Sequence, residues 1–222
     1  MPKDPSITVP YDNVEVCDWF DGFHECQFAI LSPFIRATDE IQELFGEGIS
    51  RDDLAEKVQS VSWADILQTC SIPSCGDLNV LLQESIGAIR RTQQERIDLL
   101  YKDLAKHNPM EPDEGEIPEL LLDRILRSFR DLGYKEVTVG DEWGSTSKTR
   151  SVNDMLSWEY PYVRQANPCL FSEDRRILYG VHWDSFYTFC CGPREVVTGI
   201  VEKHGFEGFF FGPGDRVYWG KP

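Results

Sequence analysis

Positive charge is scarce in this sequence: 22 lysines and arginines stand against 38 aspartates and glutamates over 222 residues, a formal net charge of −16. A field of that sign repels phosphate backbones and anionic lipid, so neither nucleic acid nor membrane is an expected partner. It suits a basic protein partner, although an acidic surface also serves solubility alone. Long apolar runs are missing as well, and no segment approaches the roughly 20 residues that cross a bilayer as a helix. The opening Met1-Pro-Lys-Asp-Pro-Ser6 carries no apolar stretch of the export type. The seven cysteines are odd in number and lack framework spacing. Free thiols in a reducing cytoplasm are therefore the expectation.

The familiar chemical signatures are absent too: no Walker A loop, no GxGxxG after a strand, no GxSxG and no HExxH. Nucleotide-fuelled, dinucleotide-dependent, α/β-hydrolase and zincin chemistry are excluded in their usual sequence form. No internal repeat or low-complexity tract stands out. What remains is a chain with 41% hydrophobic and 12% aromatic residues, enough to bury a core without disulfide staples.

Residues 1–13 read as an extended, proline-punctuated arm, and Val14–Phe28 as a short strand or loop without a clean period. Short helices are expected over Thr38–Phe45, from Ser50 to about Ser60, and from Ser62 to about Cys70, each opened by a hydroxyl residue suited to capping. Asp77 is the expected cap of one long helix over Leu78–Lys106. Leu82, Ile86, Ile89, Gln93, Ile97, Leu100 and Leu104 fall on steps of three and four. At 1.5 Å per residue it would reach about 44 Å. Its polar centre, Arg90 to Arg96, is the one basic spot in an acidic region, read either as a solvated face or as an anion or partner contact.

Asn108–Glu119, with three prolines and five carboxylates, has the composition of a linker. It divides a helical N-terminal region (residues 1–108) from an α+β C-terminal domain (residues 117–222), unless the two form one continuous domain. Beyond it come a helix ending at Gly133, a strand over Lys135–Gly140 and a turn at Gly140–Gly144. A short helix capped by Ser151 follows. Strands at Cys169–Phe171 and Arg176–Val181 bracket a tight turn, and Ser185–Cys190 is a further strand. A helix runs from Pro193 to Gly205, and a closing hairpin joins Glu207–Phe211 to Arg216–Trp219. The fold class expected is α+β: a helical N-terminal half followed by a mostly antiparallel sheet with packed helices.

His182 and Asp184 are the candidate catalytic residues. Two apart in a straight strand, they would leave the same face, as a base and its orienting carboxylate or a metal pair require. A metal site would need a third ligand, from His24, Asp141, Glu142 or a cysteine, and the sequence specifies neither metal nor cofactor. The plainer reading makes His182 a hydrogen-bonded core histidine and Asp184 a turn residue. Asp141, Glu142 and Trp143, just past a strand, are candidate binding residues for a cation or basic side chain; in an acidic chain they also read as a solvated turn. Cys191 precedes a helix N-terminus, which would favour thiolate, with His182 or His204 as its base. His204 also reads as structural, closing its helix. Cys70 and Cys75 lack the second ligand pair of a zinc knuckle.

Four segments carry a resemblance: His182-Trp-Asp-Ser-Phe186, Glu207-Gly-Phe-Phe210, Val217-Tyr-Trp219 and, upstream, Gly140-Asp-Glu142. They are similar to an uncharacterised bacterial family described only as a domain of unknown function, over the C-terminal half. The resemblance implies a bacterial cytosolic protein and transfers no activity and no catalytic residues. Two functions from different classes remain. One is a protein-interaction domain of the immunity or antitoxin kind, with Trp143, Trp158 and Trp219 as surface aromatics. The other is a hydrolase-type enzyme, small-ligand- or metal-binding, built on His182 and Asp184.

Overall fold

In the computed structural model, residues 4–37, 57–157 and 168–219 are described. The chain is mixed α+β, with seven helices and nine strands among those residues. Two compact units are present: Met1–Ser32 with Glu114–Val217, and Pro33–Asp113 with Tyr218–Pro222.

The first unit holds a seven-stranded, wholly antiparallel sheet. After α1 (Val16–Phe20), β1 (Cys26–Leu31) is buried at every residue. It lies between β8 (Tyr187–Gly192) and β9 (Gly208–Phe210). The sheet continues from β8 through β7 (Leu178–Gly180), β6 (Pro168–Ser172) and β4 (Glu136–Asp141) to β5 (Ser147–Ser151) at the far edge. A strand buried on both faces needs no polar alternation, and Val14–Phe28 showed none because it ends inside one. Strands therefore begin early, and the N-terminal half is not helical alone.

One face of this sheet is covered by α5 (Glu119–Asp131), α6 (Val152–Ser157) and α7 (Arg194–His204). Leu122, Ile125 and Phe129 of α5 pack with Phe28, Val137, Tyr179 and Cys190. Each such apolar side chain contributes about 1.5–3 kcal/mol on burial. The opposite face is aromatic: Phe189 meets Phe20 at 6.0 Å and Phe211 at 5.4 Å between ring centres. Gly208 lets β9 approach β1 closely, since a Cβ there would sit 1.8 Å from the Ala29 carbonyl oxygen.

The closing hairpin does not form. Gly212 to Asp215 is a turn, with Gly212 N–H on Asp215 Oδ2 at 2.7 Å. Beyond it, Arg216 bridges to Glu15 and the Val217 carbonyl accepts from Tyr187 Oη at 2.9 Å. The open edge of β1 takes β9, and Val217 is drawn instead to the aromatic face.

The second unit pairs β2 (Phe34–Ala37) with β3 (Val58–Val61) and carries α2 (Trp63–Thr69), α3 (Cys75–Ile86) and α4 (Gln94–His107). The expected helix over Thr38–Phe45 lies outside the described residues; the end of the helix opened at Ser50 is strand, not helix. Ser62 caps α2 as its sequence indicates, accepting from Asp65 N–H at 3.0 Å. In α3, Ser74 is the cap, accepting from Asp77 N–H at 3.1 Å, so the helix opens about one turn earlier than expected, with Asp77 in its first turn.

The long helix is two. Gly87 takes a left-handed φ of +81°, which ends α3. The buried Glu84 then accepts from Thr92 N–H at 2.7 Å and Gln93 N–H at 2.8 Å, capping α4 from outside. Arg91 returns the exchange, donating to the Ser85 carbonyl and to the Glu84 carbonyl, which also takes the Gly87 N–H, at the C-terminal end of α3. The basic spot is thus partly consumed: Arg91 caps α3, and Arg96 pairs with Asp77 at 3.2 Å.

Candidate functional site

The candidate residues gather at two turns of the first unit. Between β7 and β8 the chain does not run straight: Ser185 N–H donates to the His182 carbonyl at 3.0 Å, closing a turn over 182–185. Ser185 Oγ reinforces it, donating to the carbonyls of His182 and Tyr187 at 2.9 and 3.1 Å. Strand alternation therefore does not govern His182 and Asp184. The Asp184 carboxylate accepts from Trp183 Nε1–H at 2.7 Å, and its backbone N–H points to His182 Nδ1 at 3.4 Å.

His182 finds its closest carboxylate elsewhere. Its Nε2 is 2.7 Å from Oδ1 of Asp12, 170 positions away on the N-terminal arm. The tautomer with its proton on Nε2 satisfies both ring nitrogens, donating to Asp12 and accepting from Asp184 N–H. The ring is 0% exposed. Burial holds its pKa below the usual histidine value, outweighing the opposite pull of Asp12 and Asp184.

The arm that delivers Asp12 is fastened along its length. Asp4 accepts from Ser6 N–H at 3.0 Å and pairs with Arg175 at 2.6 Å. Thr8 and Val9 are buried, and a Cβ on Gly180 would meet Val9 Cγ1 at 2.6 Å. No local pattern in the sequence announces Asp12 as a site residue; the arm's extended, proline-rich reading was the only pointer.

The turn between β4 and β5 is built locally. Asp141 Oδ1 accepts from Trp143 N–H and Ser145 N–H, both at 2.9 Å. Its Oδ2 accepts from Thr146 N–H at 2.8 Å and Thr146 Oγ1–H at 2.6 Å. Against the cost of burial, these bonds keep its pKa below the ordinary carboxylate value. Asp141 thus shapes the turn. Glu142 is only 5% exposed, whereas Trp143 stands out at 46%. Trp143 stacks on Trp183, centroids 5.7 Å apart and planes at 24°, which joins the two turns. Trp183 in turn lies 4.1 Å from the His182 ring. Tyr11, beside Asp12 in the arm, is exposed and meets Trp19 edge-on at 5.2 Å.

The structure thus brings His182, Asp184 and Trp143 together through Trp183 and adds Asp12. His24 is buried against Phe20, centroids 5.6 Å apart, and His204 faces Asp131 at 3.3 Å. Among the described residues no three histidine, cysteine or acidic side chains converge as metal ligands. Burial pushes the Cys191 thiol well above its ordinary pKa and that of Cys190 to about 12, so proximity to a helix N-terminus does not make Cys191 a thiolate. Trp219 leans on Trp63 at 6.3 Å in the second unit, and Trp158 lies outside the described residues. Among the described residues no helix is long and apolar enough to cross a membrane.

No curated protein and no solved structure matches this chain. A family does, and over far more than the C-terminal half that carried the sequence resemblance: the chain belongs to the family described as "Protein of unknown function (DUF2711)", which matches residues 12–221 and so takes in both turns and Asp12 itself.

Proposed function

We propose that this chain is a protein-interaction domain, of the immunity or antitoxin kind, that docks a basic partner on the face formed by Asp12, Trp143, Trp183 and Asp184. The observation that carries the reading is Trp143, an indole left 46% exposed on a turn whose amides are fixed by Asp141. A rigid, exposed aromatic on an acidic chain is the composition of an interface anchor. The net charge of −16 supports a basic partner by steering and complementarity. Seven free cysteines suit a reducing compartment, which we take to be a bacterial cytosol.

The test is affinity capture from cell lysate with the wild-type chain and with Trp143→Ala, followed by reconstitution with the purified captured protein. The expected result is a basic protein held at low salt, released as salt rises, and lost with Trp143→Ala at unchanged melting temperature. Identical capture by both forms would sink the reading.

A second reading, the hydrolase-type enzyme, draws on the Asp12–His182 pair, because a carboxylate-oriented imidazole is the arrangement of a general base. It ranks second because the ring is closed to solvent. A panel of chromogenic ester and phosphate substrates, with and without divalent metal, decides it. Turnover abolished by His182→Gln in a folded protein would raise this reading to first place, and no turnover in the wild type would end it.

A further inference from the structure

Residues 4–13 lie against the sheet of the first unit without joining it. Among the described residues, their backbone-to-backbone hydrogen bonds stay within the arm: Ile7 N–H to the Asp4 carbonyl, and Val14 N–H to the Tyr11 carbonyl. Side chains fasten it instead. Arg175 pairs with Asp4 at 2.6 Å near one end, and His182 meets Asp12 at 2.7 Å near the other. Between them Val9 fills the space over Gly180, where a Cβ would come within 2.6 Å, and Ile7 and Thr8 pack at Gly144. Gly180 stands opposite Phe189 in the register, so the arm lies on the aromatic face.

Two histidines are shut in beside this arm. The His182 ring is closed to solvent at the Asp12 end. His24 is 4% exposed, and neither of its ring nitrogens completes a hydrogen bond. It packs on Phe20 and faces the Ser6 backbone and the Asp4 carboxylate. Asp4 is the charged group that acts on His24; Asp12 and Asp184 are those that act on His182. Each end of the arm thus sets a carboxylate against a buried imidazole.

A dry imidazole resists a proton, because the charged form needs water or acceptors for both of its N–H groups. In both rings burial outweighs the aspartates and holds the pKa below the ordinary histidine value. A ring uncovered by the arm returns toward about 6.5. The uncovered state therefore binds protons more strongly. As pH falls below about 6.5 it gains on the docked state by up to about tenfold per pH unit for each histidine. Asp4 does not set this range: its pKa is held below the ordinary carboxylate value by its bonds to Ser6 and by Arg175, against the cost of burial. The Asp4–Arg175 pair is solvent-exposed and holds the arm weakly.

We propose that residues 4–13 are an acid-released strap: protonation of His24 and His182 lifts the arm off the aromatic face as one element while the sheet stays folded. The strap needs no partner and is independent of the interaction reading.

The test follows the full wild-type chain from pH 7.5 to 4.5. Amide exchange is corrected for its intrinsic pH dependence, and both imidazole signals are titrated by NMR. Protection of residues 4–13 is expected to fall about tenfold or more between pH 6.5 and 5, as His24 and His182 take up their protons. β1, β8 and the 141–146 turn should keep theirs. His24→Phe keeps a ring against Phe20 but cannot titrate, and should roughly halve the pH slope of arm protection. Adding His182→Gln, which keeps a donor for Asp12, should leave that protection flat above pH 5. Should the double variant not fold, the wild-type titration decides alone. Arm protection unchanged down to pH 5, imidazoles that titrate near 6.5 under a docked arm, or arm and β1 losing protection together would each overturn the proposal.

Discussion

The turn at 141–146 and the turn at 182–185 meet through the Trp143–Trp183 stack, yet they are held in opposite ways. Asp141 closes the first with four hydrogen bonds to residues two to five positions on. The second closes its backbone through Ser185, but its buried imidazole depends on Asp12, 170 residues away. A locally closed turn survives rearrangement elsewhere in the fold. A turn completed from a distance is correct only when the whole first unit is folded with its arm in place.

That contrast orders what substitutions should do. The largest effect is expected from Asp12→Ala, which strands a fully buried imidazole N–H. About 2–3 kcal/mol should be lost, measured by urea unfolding, with amide exchange rising along residues 4–13 as well as at 182–185. Exchange confined to one turn would mean that arm and turn are not coupled.

Acid should then separate the two turns by pH. His182, His24 and His204 all have folded pKa values lowered by burial. For a histidine with a depressed folded pKa, the native state binds fewer protons than the unfolded chain. The stability it contributes is present above the unfolded value near 6.5 and is lost as pH falls below it. Asp141 has a depressed carboxylate pKa, so its share is kept until pH falls below about 4. Amide exchange followed from pH 7 to 3 should show the 182–185 turn loosening first and the 141–146 turn later; the reverse order would refute the assignment of His182.

A smaller loss, about 1–2 kcal/mol, is expected of Asp141→Ala, with Asp141→Asn recovering part of it. The readout is faster exchange of the Trp143, Ser145 and Thr146 amides while residues 4–13 stay protected. Loss of protection in the arm would blur the contrast. The least effect on stability is expected of Trp143→Ala, under about 1 kcal/mol, since half the ring is already in water. Near-ultraviolet circular dichroism should nevertheless change as the stack with Trp183 is lost; an unchanged spectrum would argue against the stack.

What could be read in the sequence follows the same division. Ser62 as a cap, the stop at Gly133, the start near Pro193 and the stop at Gly205 were all legible, because each is a contact within a few residues. The antiparallel sheet of the C-terminal half followed from its turns. The break at Gly87 was missed because the apolar stripe continues in step across α3 and α4, and only the reach of Glu84 to the Thr92 and Gln93 amides explains how two short helices replace one. β1 was read weakly because a strand buried on both faces has no period of two.

The sequence by itself determined the acidity, the missing signatures, the mixed α+β composition and the singling-out of His182, Asp184 and Trp143. Tertiary structure alone decided which carboxylate His182 binds, which of the described tryptophans is most exposed and which strand fills the edge of β1. Those outcomes depend on which distant segments meet once the chain is compact, and the pairing of Asp12 with His182 across 170 residues leaves no periodicity or spacing behind to be read.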